Sequence, residues 1–179
     1  MRVRPMVRGN WYPHDPKRLR AVLEEFLAPD GGPEFPRVAG LLAPHAGYIF
    51  SGPTAGKAFR QVRDRAFDLV AVLGPFHSGH RAPFVLSSWE AYETPFGTVP
   101  VDTEAWDSLR VALESEGCAP DSVACLDEDH EHSIELELPF LQETLSGPFQ
   151  LLPVLTGECD REHAKALGRA LADVIESRN

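Results

Sequence analysis

The chain has 179 residues, with 27 acidic against 17 basic side chains and a formal charge of −10, a balance that opposes non-specific binding to nucleic acid or to an anionic membrane. No apolar run approaches the ~20 residues of a membrane span, and the basic start, Met1 to Arg8, lacks the continuous apolar stretch of a secretion signal. The length fits one domain, residues 1–179, at roughly 150 residues per domain. Cys118, Cys125 and Cys159 show no CxxC spacing, so a cytoplasmic protein without a disulfide framework or zinc ribbon is expected, its cysteines small buried residues.

Asn10-Trp11-Tyr12-Pro13 comes first, two large aromatics that read either as an anchor onto the core or as part of a pocket. Asp15 followed by Pro16 reads as a helix cap and first helical residue. Leu19, Val22, Leu23, Phe26 and Leu27 then keep helical spacing up to the proline-bounded stretch from Pro29 to Pro33. Val38 to Leu42 is a predicted buried strand, broken by Pro44 and Gly47 so that His45 stands at its carboxyl end. Gly52-Pro53 predicts the start of a helix running to Val62. Asp68 to Leu73 is a second strand, and Gly74-Pro75-Phe76 again delivers a histidine, His77, just past the end.

Pro83 to Leu86 predicts a short strand, and Thr94 to Thr98 a turn-rich connector into Val99-Pro100-Val101. Thr103 is a candidate cap for a helix carrying Trp106, Leu109 and Leu113 and ending near Gly117. Asp127 to Glu135 is dense in ionisable side chains, which fits a solvated loop or a site equally well. Ile134, Leu138, Leu141 and Leu145 favour a helix, although Ile134, Leu136 and Leu138 also alternate and Pro139 interrupts either pattern. Gln150 to Leu155 is a third strand, followed by Thr156-Gly157, and Asp160 caps a last helix with Ala164, Leu167, Leu171, Val174 and Ile175 on one face. Strand and helix alternate, which predicts an α/β fold with a mostly parallel central sheet and flanking helices.

In such sheets ligands sit outside the carboxyl ends of the strands, where His45, His77 and Thr156 are expected. Two imidazoles converging there suit a divalent transition metal, with Glu131 or Asp129 as the acidic neighbour of a two-histidine, one-carboxylate set. His80 reads as a surface residue, and His14 and His163 as helix-start residues without partners.

Asn10-Trp11-Tyr12-Pro13, Ala43-Pro44-His45-Ala46-Gly47-Tyr48 with Ser51-Gly52, Gly74-Pro75-Phe76-His77, Glu131-His132-Ser133-Ile134-Glu135 with Leu138-Pro139-Phe140, and Pro153-Val154-Leu155-Thr156-Gly157 together resemble the Memo family, labelled protein B of the AmmeMemoRadiSam system in prokaryotes. The resemblance implies a fold similar to class III non-haem iron extradiol dioxygenases. It matches His45 and His77 to metal ligands and puts Glu131 and His132 near the pocket; if the protein is an enzyme, His132 is expected to move a proton there. Trp11, Tyr12 and Tyr48 are expected at the pocket rim. Iron or copper is the implied metal, with zinc not distinguished from them, and a radical SAM protein and an AMMECR-like protein are the implied partners. The family's later Ser-Ser-Asp strand, a nearby histidine and a segment bearing the third ligand have no counterpart here. The expectation is therefore a C-terminally incomplete member that self-associates or takes a complementing C-terminal chain, unless Asp129 or Glu131 finishes the shell. The functions carried forward are a metal-binding protein of unassigned activity, the same centre as an enzyme with oxygenase-like redox chemistry, and, as the alternative, a non-catalytic peptide- or protein-binding scaffold.

Overall fold

The Asp15 carboxylate accepts from the Arg18 amide at 2.8 Å and Pro16 takes the first helical position, so helix α1 (Pro16–Phe26) starts where its capping residues require. It buries Leu19 and Leu23. The computed structural model describes residues 1–7 and 9–177. Helix α2 (Tyr48–Phe59) begins earlier than Gly52-Pro53 suggests, capped at Gly47, with Pro53 inside it and a 3₁₀ turn over Arg60–Val62 following. The Tyr48 amide donates to the Trp11 carbonyl at 2.7 Å, which starts the helix five residues before Pro53. Gly52 and Gly56 serve instead as the contact with α1. A Cβ at Gly52 would stand 2.2 Å from the Phe26 ring, and one at Gly56 2.3 Å from the Phe26 carbonyl oxygen.

Val38 to Leu42 is not a strand. No strand pairs with it among the described residues, and Leu42 is 97% exposed. An apolar run becomes a strand only where a neighbour takes its backbone groups, and here none does.

Strands β2 (Leu69–Pro75) and β7 (Gln150–Thr156) run parallel, β7 pairs antiparallel with β3 (Phe84–Ser87), and β3 pairs parallel with β6 (Val123–Leu126), giving the order β2-β7-β3-β6. A second sheet joins β1 (Val3–Arg4), β4 (Ala91–Thr94) and β5 (Gly97–Pro100), with β1 and β4 parallel and β4 and β5 antiparallel. The fold is α/β, but its sheets are mixed rather than mostly parallel. In the smaller sheet the cause is local, since Pro95-Phe96 leaves only two residues between β4 and β5, enough for a hairpin and too few for a parallel crossover; in the larger sheet the antiparallel pair is β3 with β7.

Helix α3 (Thr103–Ser115) is capped by Asp102 rather than Thr103, and α5 (Arg161–Glu176) by Asp160. These two helices pack together on Phe84, Leu86, Leu152 and Val154 of the larger sheet. A separate core gathers Phe59, Phe140 and Tyr48 with α1, α2 and α4 (Leu138–Thr144). The stretch from Ser133 to Leu141 is buried throughout, which explains its mixed periodicity; it folds as a 3₁₀ turn over Glu135–Glu137 leading into α4, where Pro139 falls harmlessly in the first turn. Among the described residues no helix is long and apolar enough to cross a membrane.

Candidate metal centre

β2 ends at Pro75, where its register pairs Pro75 with Thr156, and the Phe76 amide donates to the Thr156 carbonyl at 2.9 Å. His77 follows at once. The loop from Asp129 to Ser133 then approaches so closely that only glycine fits at 74, since a Cβ there would stand 2.4 Å from Ser133 Oγ. Ser133 Oγ donates to the Pro75 carbonyl at 2.9 Å, tying this loop to the strand exit.

Glu131, 5% exposed, is the hinge of the site. Its Oε2 accepts from the His77 amide at 2.6 Å, and its Oε1 accepts from the His132 and Ser133 amides at 2.7 and 2.9 Å. The same Oε1 lies 2.8 Å from His77 Nδ1 and 3.2 Å from His132 Nδ1. Burial alone would raise the carboxyl pKa, but the hydrogen bonds from His77, Ser133 and His132 outweigh it and hold Glu131 below its ordinary range. It is a bound carboxylate whose oxygens are already occupied.

With Nδ1 of His77 engaged, its Nε2 is directed elsewhere, and it lies 3.4 Å from Nε2 of His45. Two imidazole nitrogens held at ~2.1 Å by a tetrahedral ion stand ~3.4 Å apart, so the pair has the spacing of two ligands on one metal. Burial, then the neighbouring His77, lower the His45 pKa against the pull of Glu131. His132 is lowered as well, by burial first and by His77 and His45, with Glu131 opposing. Both therefore favour the neutral form a metal ligand needs. His132 stacks between Trp11, at 4.1 Å between ring centres, and His77, at 4.7 Å. His77, Glu131 and His132 together offer ligand atoms within 4.8 Å of one another.

His45, His77, Glu131, His132 and Trp11 thus converge. Tyr12 and Tyr48 do not sit at a rim; both are buried in the core, with the Tyr12 hydroxyl donating to Glu135 at 2.5 Å and the Tyr48 hydroxyl to the Leu136 carbonyl at 2.8 Å. Asp129 is also spent elsewhere. It pairs with Arg4 at 2.8 Å and accepts from Trp89 Nε1 at 3.2 Å. Arg4, 1% exposed, also binds Glu135 at 2.7 Å and donates to the Glu131 carbonyl, so it braces the whole loop. Nothing in the spacing of Met1 to Arg8 marks it for this task. The cysteines are part-exposed or exposed rather than buried, and none joins the cluster.

A mixed α/β fold carrying a histidine and glutamate cluster at a strand exit defines a protein with a candidate metal centre. The Memo family model, described as Memo-like protein, matches residues 3–179, and the chain belongs to that family. A MEMO1 family protein of Aquifex aeolicus is 36% identical over 177 residues, covering 98% of this chain and 63% of its own length. One from Nitrosopumilus maritimus is 33% identical over 184 residues, covering 98% and 64%. The Protein memo-1 homolog of Caenorhabditis elegans is 32% identical over 169 residues, covering 94% and 47%. The chain thus spans less than two thirds of the length of these curated relatives.

Proposed function

We propose that this Memo-family chain binds one iron or copper ion through His45 and His77, with oxygenase-like redox chemistry at the bound ion and a fold similar to class III extradiol dioxygenases. The observation that carries the reading is the 3.4 Å separation of the two Nε2 atoms, with Glu131 on the far nitrogen of His77. A carboxylate on Nδ1 fixes the tautomer that leaves Nε2 free to ligate and raises the ring's basicity. A bound iron or copper ion would supply Lewis acidity and a one-electron couple. In this reading Glu131 orients His77, and His132, which stacks between Trp11 and His77, takes up a proton and returns it. A cytoplasmic location and association with a radical SAM protein and an AMMECR-like protein belong to this reading through the family resemblance.

Metal content of the purified chain by plasma mass spectrometry tests the reading, alongside a variant with His45→Ala and His77→Ala. About one iron or copper per chain, lost in the variant, is expected; an equal metal content in both would overturn it. A second reading, a non-catalytic scaffold for a peptide or protein, draws on Ile49 and Phe50, which are 82% and 83% exposed just after His45. It predicts partner binding that survives the double histidine substitution.

A further inference from the structure

The loop that carries Glu131 and His132 continues into the 3₁₀ turn over Glu135–Glu137, and the two acids of that turn have opposite surroundings. Glu135 is saturated. It pairs with Arg4 at 2.7 Å, accepts from the Val7 amide at 2.9 Å and takes the Tyr12 hydroxyl at 2.5 Å. Glu137 is 8% exposed, and its Oε2 meets no donor among the described residues. A buried carboxylate without a cation or a donor is costly, so such a group stays a neutral acid.

Nothing packed around Glu137 offers it a compensating charge. From α2 the titratable group facing it is Tyr48, whose pKa a charge on Glu137 raises and whose hydroxyl is spent on the Leu136 carbonyl at 2.8 Å. Glu135 of the same turn is engaged by Arg4, and Glu143, the acid of α4, is tied to Arg20. No arginine, lysine or histidine acts on Glu137, and burial alone pushes its pKa up to about 8.

Glu135, in contrast, fastens the segment that bears Val7, Trp11 and Tyr12. That segment stacks Trp11 on His132 at 4.1 Å between ring centres, and the Trp11 carbonyl accepts the Tyr48 amide at 2.7 Å. The turn beneath it is a weak element, since 3₁₀ hydrogen bonds have poorer geometry than α-helical ones. Its Glu137 amide donates to the Ile134 carbonyl at 3.1 Å. A charge on Glu137 can reach water only if this turn opens, and Glu135 sits in the same turn.

We propose that the Glu135–Glu137 turn is a proton-dependent latch: with Glu137 protonated it stays shut and Glu135 holds the N-terminal segment on the candidate centre, and loss of that proton opens turn and segment together while the larger sheet stays folded. Opening withdraws Trp11 from His132, so the centre is firmest in acid and loosens as pH rises. The latch needs neither a metal nor a change in the histidines, and it stands apart from the metal reading. The sign follows from linkage. The closed turn binds the proton with a pKa of about 8 and the open one with the ordinary 4.5, so the opening constant climbs about tenfold per pH unit between those values and levels off above about 8.

Hydrogen exchange of the metal-free chain, read by mass spectrometry from about pH 5 to about pH 9.5 and corrected for the intrinsic rate, tests the latch. Peptides carrying the Val7 and Tyr48 amides should exchange faster than those of Leu151 to Leu155 at every pH, with an opening constant that follows the tenfold-per-unit rise and plateau. Glu137→Gln keeps the shape of the side chain and cannot ionise. In that variant the same amides should keep their acid-side protection across the range. Three results would overturn the proposal: protection of these amides that does not change with pH in the parent, the same pH dependence in the Gln variant, or exchange of these amides together with those of Leu151 to Leu155, which would mean that the proton is released only on global unfolding.

Discussion

Glu131 is the residue on which the candidate centre turns. It combines one carboxylate, three backbone amides and two imidazoles, so replacing it disturbs ring orientation before it changes charge. Under the metal reading, Glu131→Gln should weaken metal affinity by about 10–100-fold without abolishing it, a range typical of lost outer carboxylates. Metal titration against a competing chelator would measure this, and unchanged affinity would remove Glu131 from the support of His77. Glu137 presents a different problem. It is buried, its Oε2 has no hydrogen-bond partner among the described residues, and burial pushes its pKa up to about 8 from the ordinary 4.5. The folded state therefore holds this proton more tightly than the unfolded chain does. The stability linked to it is fully present below pH 4.5, is lost as pH rises toward about 8, and changes no further above that. Glu137→Gln should raise the thermal midpoint relative to the parent by an amount that grows across that window. Calorimetry at pH 5 and pH 8.5 would show it, and an equal difference at both pH values would sink the assignment. The sequence marks both glutamates as part of a charged, then apolar stretch, but periodicity cannot tell a saturated carboxylate from an orphaned one.

Among the elements, the shortest strand does the most to hold the site in place. β1 is only two residues long, yet it brings Arg4 into contact with Asp129, Glu135 and the Glu131 carbonyl. Arg4→Met would leave two buried carboxylates without their cation and should cost about 3–5 kcal/mol of stability in urea unfolding. A cost below ~1 kcal/mol would mean that solvent reaches the pair. At the exit of β2, Gly74→Ala would drive a methyl into Ser133 Oγ and should cost about 1–3 kcal/mol, with the Glu131 loop displaced. Loss of the His77 Nδ1–Glu131 coupling in an NMR spectrum of the imidazole nitrogens would report that displacement. Helix α1 was legible from its cap and apolar spacing, whereas the start of α2 was not, because a Trp11 carbonyl remote in sequence captures the Tyr48 amide. Val38 to Leu42 reads as a strand by composition and lacks only the partner that would make it one.

At the scale of the molecule, two cores and two mixed sheets converge on one strand exit. α3 and α5 close one face of the larger sheet, and the aromatic cluster of α1, α2 and α4 forms the other core. Among the described residues β2 and β6 are the edges of the larger sheet. The strong negative charge opposes indiscriminate self-association.

The sequence by itself determined the helices with capping residues and apolar stripes, the two histidines at chain breaks after or near apolar runs, and the motif blocks that place the chain in the Memo family. These properties are local, set by residues within a turn or two of one another. Only the tertiary structure decided that the sheets are mixed, that Tyr12 and Tyr48 are core residues, that Asp129 answers to Arg4, and that Glu131 holds both His77 and His132. Each of those depends on which distant segment arrives to satisfy a buried polar group or an open strand edge. That pairing is fixed by packing and hydrogen-bond satisfaction across the fold, not by the spacing of residues along the chain.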